Sequence, residues 1–379
     1  MPQRGKKKGR KGSQAALLRV FNAFAKEALR DYPQLKGRLA LYNASTRSWH
    51  SLPGCGKGKG APTQNLVMEA TSNDEGFTAF AVPTDEYALI AYHVSDRKAR
   101  TMASISDAWR REILATLEHE LGHLVAPAGI YSRYGDNFSE CVADAFAFIR
   151  QQQKYRDVQR PLKATAWIRT HEFVLDRESL HFTLPVLSEL HAMLQEYDLS
   201  RLTPSQSANL AYRLTRQYAC TKRQVRRLMR VFAPARRICK RRGLKAALKK
   251  CAQIMLARRR KDAALIYAVG SALLRPYLDR EVELIATIVR KRDAERLRLE
   301  GPFWDEVREK MAWRDEELAR QGARDALNRE ALHMQALGYF DSADGGLIDI
   351  EAYESQKNLA RLKRARETYI IRRSRQTGK

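Results

Sequence analysis

Thr116-Leu117-Glu118-His119-Glu120-Leu121-Gly122-His123-Leu124-Val125 is the stretch from which the fold and chemistry of this chain are read. Ile113, Leu114, Leu117, Leu121 and Val125 recur at the steps of an amphipathic helix. Residues four apart share one helix face, so His119 and His123 point the same way. Two imidazoles so placed can hold one Zn²⁺, and Glu120 between them can reach a water on such an ion. The helix is expected over residues 101–125, with Pro127 and Gly129 marking its end.

The whole chain has 379 residues and is 44% hydrophobic, enough for two or three domains with a core. Its net charge of +26 is segregated. Residues 1–12 carry six Lys or Arg and no acid, and residues 199–261 carry twenty and no acid. The remainder is balanced, so the excess marks two places for a polyanionic partner: the N-terminal tail and residues 199–261. Five cysteines, widely spaced and without a CxxC pair, argue for a reducing compartment rather than a disulfide framework. No apolar run follows the basic N-terminus, and the run Ala263 to Leu274 is too short to span a membrane. A soluble, cytoplasmic protein is expected, with nucleoid association within its reach.

Along the chain, residues 1–13 read as a disordered basic tail and 14–32 as a helix, striped by Ala16, Leu17, Val20, Phe21, Phe24 and Leu29. The period then changes. Segments 38–42, 47–52, 65–70, 76–82 and 86–94 read as strands of a small antiparallel sheet, with Pro83-Thr84-Asp85 as a turn. A further helix is expected to begin near Asn137 or Ser139, either of which can cap it. From about residue 163 the pattern is almost wholly helical, and 353–375 is a charged helix or frayed tail. The fold class is therefore α+β: a small sheet packed on the His-bearing helix and a Glu-bearing helix, followed by a basic helical extension. The expected divisions are a tail at 1–13, a zinc domain at 14–195, a basic helical domain at 196–300 and a charged C-terminal tail at 301–379.

A catalytic zinc needs three protein ligands and an open position. The HExxHxxGxxH extension is absent, because Ala126 and Gly129 stand where Gly and His are required. Glu140 opens the following helix, which can fold back on the first, and Asp144 lies four residues on, on the same face. This places a carboxylate ligand beside a carboxylate that can accept a hydrogen bond from a ligand imidazole. Cys141 points about 100° away from Glu140 and reads as core.

HExxH followed by ExxxD on a later helix resembles the gluzincin group of zinc metallopeptidases, thermolysin among them. The flanks fit as well: Thr116 and Leu117 before the motif, Leu121 and Gly122 inside it, Leu124 and Val125 after it. The resemblance covers residues 35–150. It implies His119, His123 and Glu140 as zinc ligands, Glu120 as general base and Asp144 as the acceptor behind a ligand. It also implies a protein or peptide substrate added as a strand to the edge of the sheet. A donor for the tetrahedral oxyanion is required; His171 and Tyr131 come first, with Tyr134 and Arg133 behind them. His93, His181 and His191 lie in apolar surroundings and read as structural.

Residues 210–228 resemble a helix-turn-helix, with Leu214, Tyr218, Cys220, Val225 and Leu228 at its buried positions. Lys222, Arg223, Gln224, Arg226 and Arg227 would then face nucleic acid, Gln224 and the arginines being able to read base edges. Arg236, Arg237, Lys240, Arg241 and Arg242 suit phosphate contacts. Zinc-dependent hydrolysis of a peptide bond, with a basic region that tethers the enzyme to nucleic acid, is the expected function. The rival is a nucleic-acid-binding regulator whose zinc site is structural or vestigial.

Overall fold

Val20, Phe21, Phe24, Ala25 and Ala28 are all buried and repeat at helical steps, which sets the inward face of helix α1, Arg4–Asp31. The structure is a computed structural model that describes residues 4–44, 48–49, 54–55, 77–83, 88–94, 106–125, 136–155, 157–257, 262–321 and 323–337. Helix α1 takes in residues 4–13, which the sequence pattern assigns to a disordered tail. Lys and Arg are good helix formers, and once the buried stripe holds a helix, extending it is cheap compared with nucleating one.

Four strands follow: β1 Leu39–Asn43, β2 Ser48–Trp49, β3 Phe77–Pro83 and β4 Ala88–Val94, in the order β2-β1-β4-β3. The sheet is mixed, not antiparallel. β1 runs parallel to β4, with Leu39 opposite Ala88 and Asn43 opposite Tyr92, while β3 and β2 pair antiparallel. β4 is a central strand, and six of its seven residues are buried. A strand covered on both faces has no polar alternation to reveal its neighbours. On one face Tyr92 stacks on Phe21 of α1 with ring centroids 4.3 Å apart. On the other, Ala40, Tyr42, Ala44, Leu89 and Ala91 form a cluster joined by Trp49. The expected strand at 65–70 lies outside the described residues.

Helix α2, Asp107–Val125, carries the histidine motif and packs on β3, β4 and α1. Helix α3, Asp136–Lys154, supplies Arg150 and Lys154 to a buried ion cluster. Arg150 reaches Glu27 at 2.9 Å, Asp31 at 2.5 Å and Glu118 at 3.6 Å, and Lys154 pairs with Glu27 at 2.9 Å and with Glu118. Burial alone would raise the Asp31 carboxyl, but the Arg30 hydrogen bond and the Arg150 charge outweigh it and hold it below the usual carboxylate value. These charges tie α1, α2 and α3 together, and each is compensated only while its partners stay in place.

The described residues that follow are mostly helical: α4 Gln159–His171 running into a π-turn Glu172–Asp176, α5 Leu184–Glu196, α6 Pro204–Tyr218, α7 Lys222–Val231, α8 Ala233–Arg242, α9 Leu244–Met255 and α10 Ala263–Leu278. The short α11 Val282–Ile285 and α12 Lys291–Arg296 lead to α13 Pro302–Gln321 and α14 Ala323–Ala336. The molecule is thus mostly helical with one small mixed sheet, an α+β arrangement.

Its compact units interleave along the chain. One comprises Met1–Ile130, Val142–Arg156 and Ser200–Tyr212; the other comprises Tyr131–Cys141, Asp157–Leu199 and Arg213–Lys379. Residues 200–212 belong to the first unit because Gln153 donates to the Leu202 carbonyl at 2.7 Å and to Ser207 Oγ at 2.9 Å, and Tyr32 donates to the Pro204 carbonyl at 3.0 Å. Residues 302–336 are packed helices rather than a tail. Trp304, Val307, Met311, Leu332 and Met334 are buried, and Tyr267 donates to the Met311 carbonyl at 3.0 Å. The expected element at 353–375 lies outside the described residues. Among the described residues no helix is long and apolar enough to cross a membrane.

Candidate metal centre

Leu117 and Leu121 are buried on α2, and that orientation carries His119 and His123 together to a half-buried face. Their rings stand nearly perpendicular, at 85°, and their Nε2 atoms face each other at 3.3 Å. Zinc–nitrogen bonds of about 2.0–2.1 Å at tetrahedral angles require two imidazole nitrogens about 3.3–3.4 Å apart. The observed spacing therefore fits one shared ion.

The tautomer of His119 is set from behind. Its Nδ1 lies 2.8 Å from Asp144 Oδ1, and the Asp144 carboxylate is buried. A carboxylate can only accept, so Nδ1 carries the proton and Nε2 keeps its lone pair for a metal. Glu140 stands one helical turn before Asp144 on α3, so the helix itself delivers its carboxylate to the same place. Ligand atoms of His119, His123 and Glu140 all lie within 4.8 Å of one another. Two nitrogens and one carboxylate oxygen, each half-buried, suit Zn²⁺ with a position left for water or substrate. We expect Asp144→Ala to weaken zinc binding about 10–100-fold, read by competition with a chromophoric chelator; unchanged affinity would remove the role given to Asp144.

The two helices must approach closely for this to happen. Gly122 lies between the histidines, and a Cβ there would meet Ala143 Cα at 2.8 Å and the Ala143 carbonyl oxygen at 3.3 Å. Glu120 is buried, next to His119. Cys141 is buried as expected from its side of α3, its Sγ 3.8 Å from the Phe182 carbonyl.

The oxyanion donors expected from sequence fare differently. Tyr131, Arg133 and Tyr134 lie outside the described residues. His171 is buried against Trp167, with ring centroids 5.7 Å apart, and its Nδ1 is 3.7 Å from Asp176. Burial pushes its pKa down, opposed by Asp176. Those neighbours are the packing of the α4 terminus. His181, which reads as structural in the sequence, instead lies with Nε2 3.5 Å from Glu140 Oε2. No spacing rule links residues 140 and 181. The link is Asn137: its amide donates to the carbonyls of Ser179, Leu180 and Phe182 at 3.3, 3.0 and 2.8 Å, pinning the loop that carries His181. Asn137 is therefore inside α3 and works as a loop anchor rather than as the expected cap.

In the basic region, α6 and α7 are joined by Ala219-Cys220-Thr221, and Leu214, Val225 and Leu228 are buried as a helix-turn-helix requires, with Tyr218 and Cys220 half-buried. Three of the expected contact residues are committed elsewhere. Gln224 closes a capping box: Thr221 N–H donates to its Oε1 at 2.9 Å, and Gln224 N–H donates to Thr221 Oγ1 at 3.3 Å. Arg227 is paired with Asp262. Arg236 is buried and donates to the carbonyls of Phe173 at 3.1 Å, Val174 at 3.2 Å and Met229. The orphan carbonyls of a helix end need donors, and a guanidinium supplies them here. Lys222, Arg223, Arg226, Arg237, Lys240, Arg241 and Arg242 are exposed.

Comparison with known proteins assigns no family: no family model, no curated protein and no solved structure matches the chain.

Proposed function

We propose that this protein is a zinc-dependent metallopeptidase of gluzincin type that hydrolyses a peptide bond in a protein substrate. The observation that carries the reading is the convergence of ligand atoms of His119, His123 and Glu140 within 4.8 Å, the two Nε2 atoms 3.3 Å apart, with Asp144 holding the His119 tautomer from behind. A zinc ion bound there supplies Lewis acidity, polarising a carbonyl and making water a nucleophile near neutral pH. Glu120 takes the proton of the attacking water and passes it to the leaving amine. Among the described residues His181, held beside Glu140 by the Asn137-anchored loop, is the donor assigned to the developing oxyanion. Among the described residues β3 is an edge strand, packed against α2, so it offers backbone groups for an extended peptide. All five cysteines are free, which fits a reducing, cytoplasmic setting.

A structural or vestigial zinc site in a regulator is the rival. A structural site takes four protein ligands of Cys and His type, and the set found among the described residues has three, none of them Cys. The test is metal analysis together with hydrolysis of an unstructured protein substrate. About one zinc per chain is expected, with cleavage lost on chelation and restored by zinc. Zinc-loaded protein without cleavage would favour the rival, and protein that takes up no zinc would remove both readings.

A further inference from the structure

Residues 199–261 concentrate twenty cations without one acid, which opposes folding by self-repulsion unless a polyanion offsets it. The helices aim that charge outward. On α7, Val225 and Leu228 are buried, while Arg223, Arg226 and Arg230 recur at steps of three and four and are exposed. On α8, Lys240 and Arg241 are likewise exposed. An open cleft of about 360 Å³ joins the end of α7 to α9 and brings Arg230 and Lys250 to one opening. Arg230 of α7 and Lys250 of α9 therefore share one opening.

Three of the side chains that could read bases are held away from it. Gln224 is held in its capping box, Arg227 is held by Asp262 and Arg236 is buried under backbone carbonyls. What remains is exposed Arg and Lys whose charge, when it contacts phosphates, carries affinity without sequence information. A lipid surface shares the phosphate chemistry, but interfacial helices need an apolar face to insert. The exposed large hydrophobic residues described are Leu18, Leu180, Trp313 and Leu327, none of them on α7, α8 or α9.

We propose that the exposed cations of α7 and α8, continued by Arg230 and Lys250 at the cleft, form a site for the phosphate backbone of duplex nucleic acid that binds without regard to base sequence. This site does not depend on the metal centre. The experiment uses the full chain and fluorescence anisotropy with two short DNA duplexes of unrelated sequence, alongside vesicles of phosphatidylserine and phosphatidylcholine. Both duplexes are expected to bind with equal affinity. About five phosphate contacts predict a fall on the order of 10²–10³-fold between 50 and 200 mM salt. Replacing Arg223, Arg226 and Arg230 together by Glu should cost at least about tenfold at low salt, with the circular dichroism and melting temperature retained. The N-terminal cations are intact in that variant, so the loss assigns binding to the α7 face. Should the triple variant not fold, Lys240→Ala with Arg241→Ala decides by the same loss. A flat salt response, a marked preference for one duplex, tighter binding to the vesicles, or unchanged binding by the folded variants would overturn the proposal.

Discussion

Glu120→Gln is expected to lower peptide hydrolysis about 10²–10⁴-fold while leaving zinc content unchanged. The amide matches the carboxylate in size and can keep hydrogen bonds at this buried position, so the fold has no reason to change. It cannot take a proton from water, and that is the step assigned to Glu120. The residue lies about 100° around α2 from His119, and the three-residue ligand set does not include it. The pair of readouts separates the possible failures. Undiminished cleavage would exclude Glu120 as the base, and lost zinc would show that it helps hold the ion or the helix.

Gly122→Val should be as damaging through a different route, with stoichiometric zinc lost and the melting temperature lowered. In an exposed helix, replacing Gly by Ala stabilises by about 1 kcal/mol. Here an added Cβ would stand 2.8 Å from Ala143 Cα and 3.2 Å from Phe146 Cδ1. A backbone atom cannot rotate away, so α2 and α3 must separate. Overpacking of this kind costs about 1–3 kcal/mol, enough to reverse the propensity gain, and valine adds two further methyls. Ala143 adjoins Asp144, whose 2.8 Å contact sets the His119 tautomer, so the strain is delivered to the centre itself. Zinc titration and thermal denaturation check this together. A higher melting temperature with full zinc uptake would mean that the helices do not meet at Gly122.

The residues readable from sequence are those linked by a short period. His119 with His123, and Glu140 with Asp144, are pairs four apart on helices whose apolar stripes are plain, and the structure brings them to one place. What sequence could not supply depends on contacts between distant segments. β4 is buried on both faces, so its parallel pairing with β1 left no alternation to read. His181 reaches Glu140 only because Asn137 fastens a loop some forty residues downstream. Arg236 looks like its neighbours in the sequence, yet its partners are main-chain carbonyls, which no side-chain pattern discloses. Gly122 shows a uncharged residue in the motif, but not that its missing side chain is what admits α3.

The interleaving of the first unit bears on the order in which the protein can be made. Its last piece, Ser200–Tyr212, supplies the carbonyls of Leu202 and Pro204 and the hydroxyl of Ser207 that Gln153 and Tyr32 require. A chain emerging from the ribosome exposes His119, Glu120 and His123 well before those partners exist. The nascent chain therefore carries His119 and His123, the proposed ligands, before it has the means to finish the unit that holds them. The unit can close only once Tyr212 has emerged, a little over halfway along the 379-residue chain, and a fragment cut after residue 195 would hold every proposed ligand without the segment that Gln153 and Tyr32 bind.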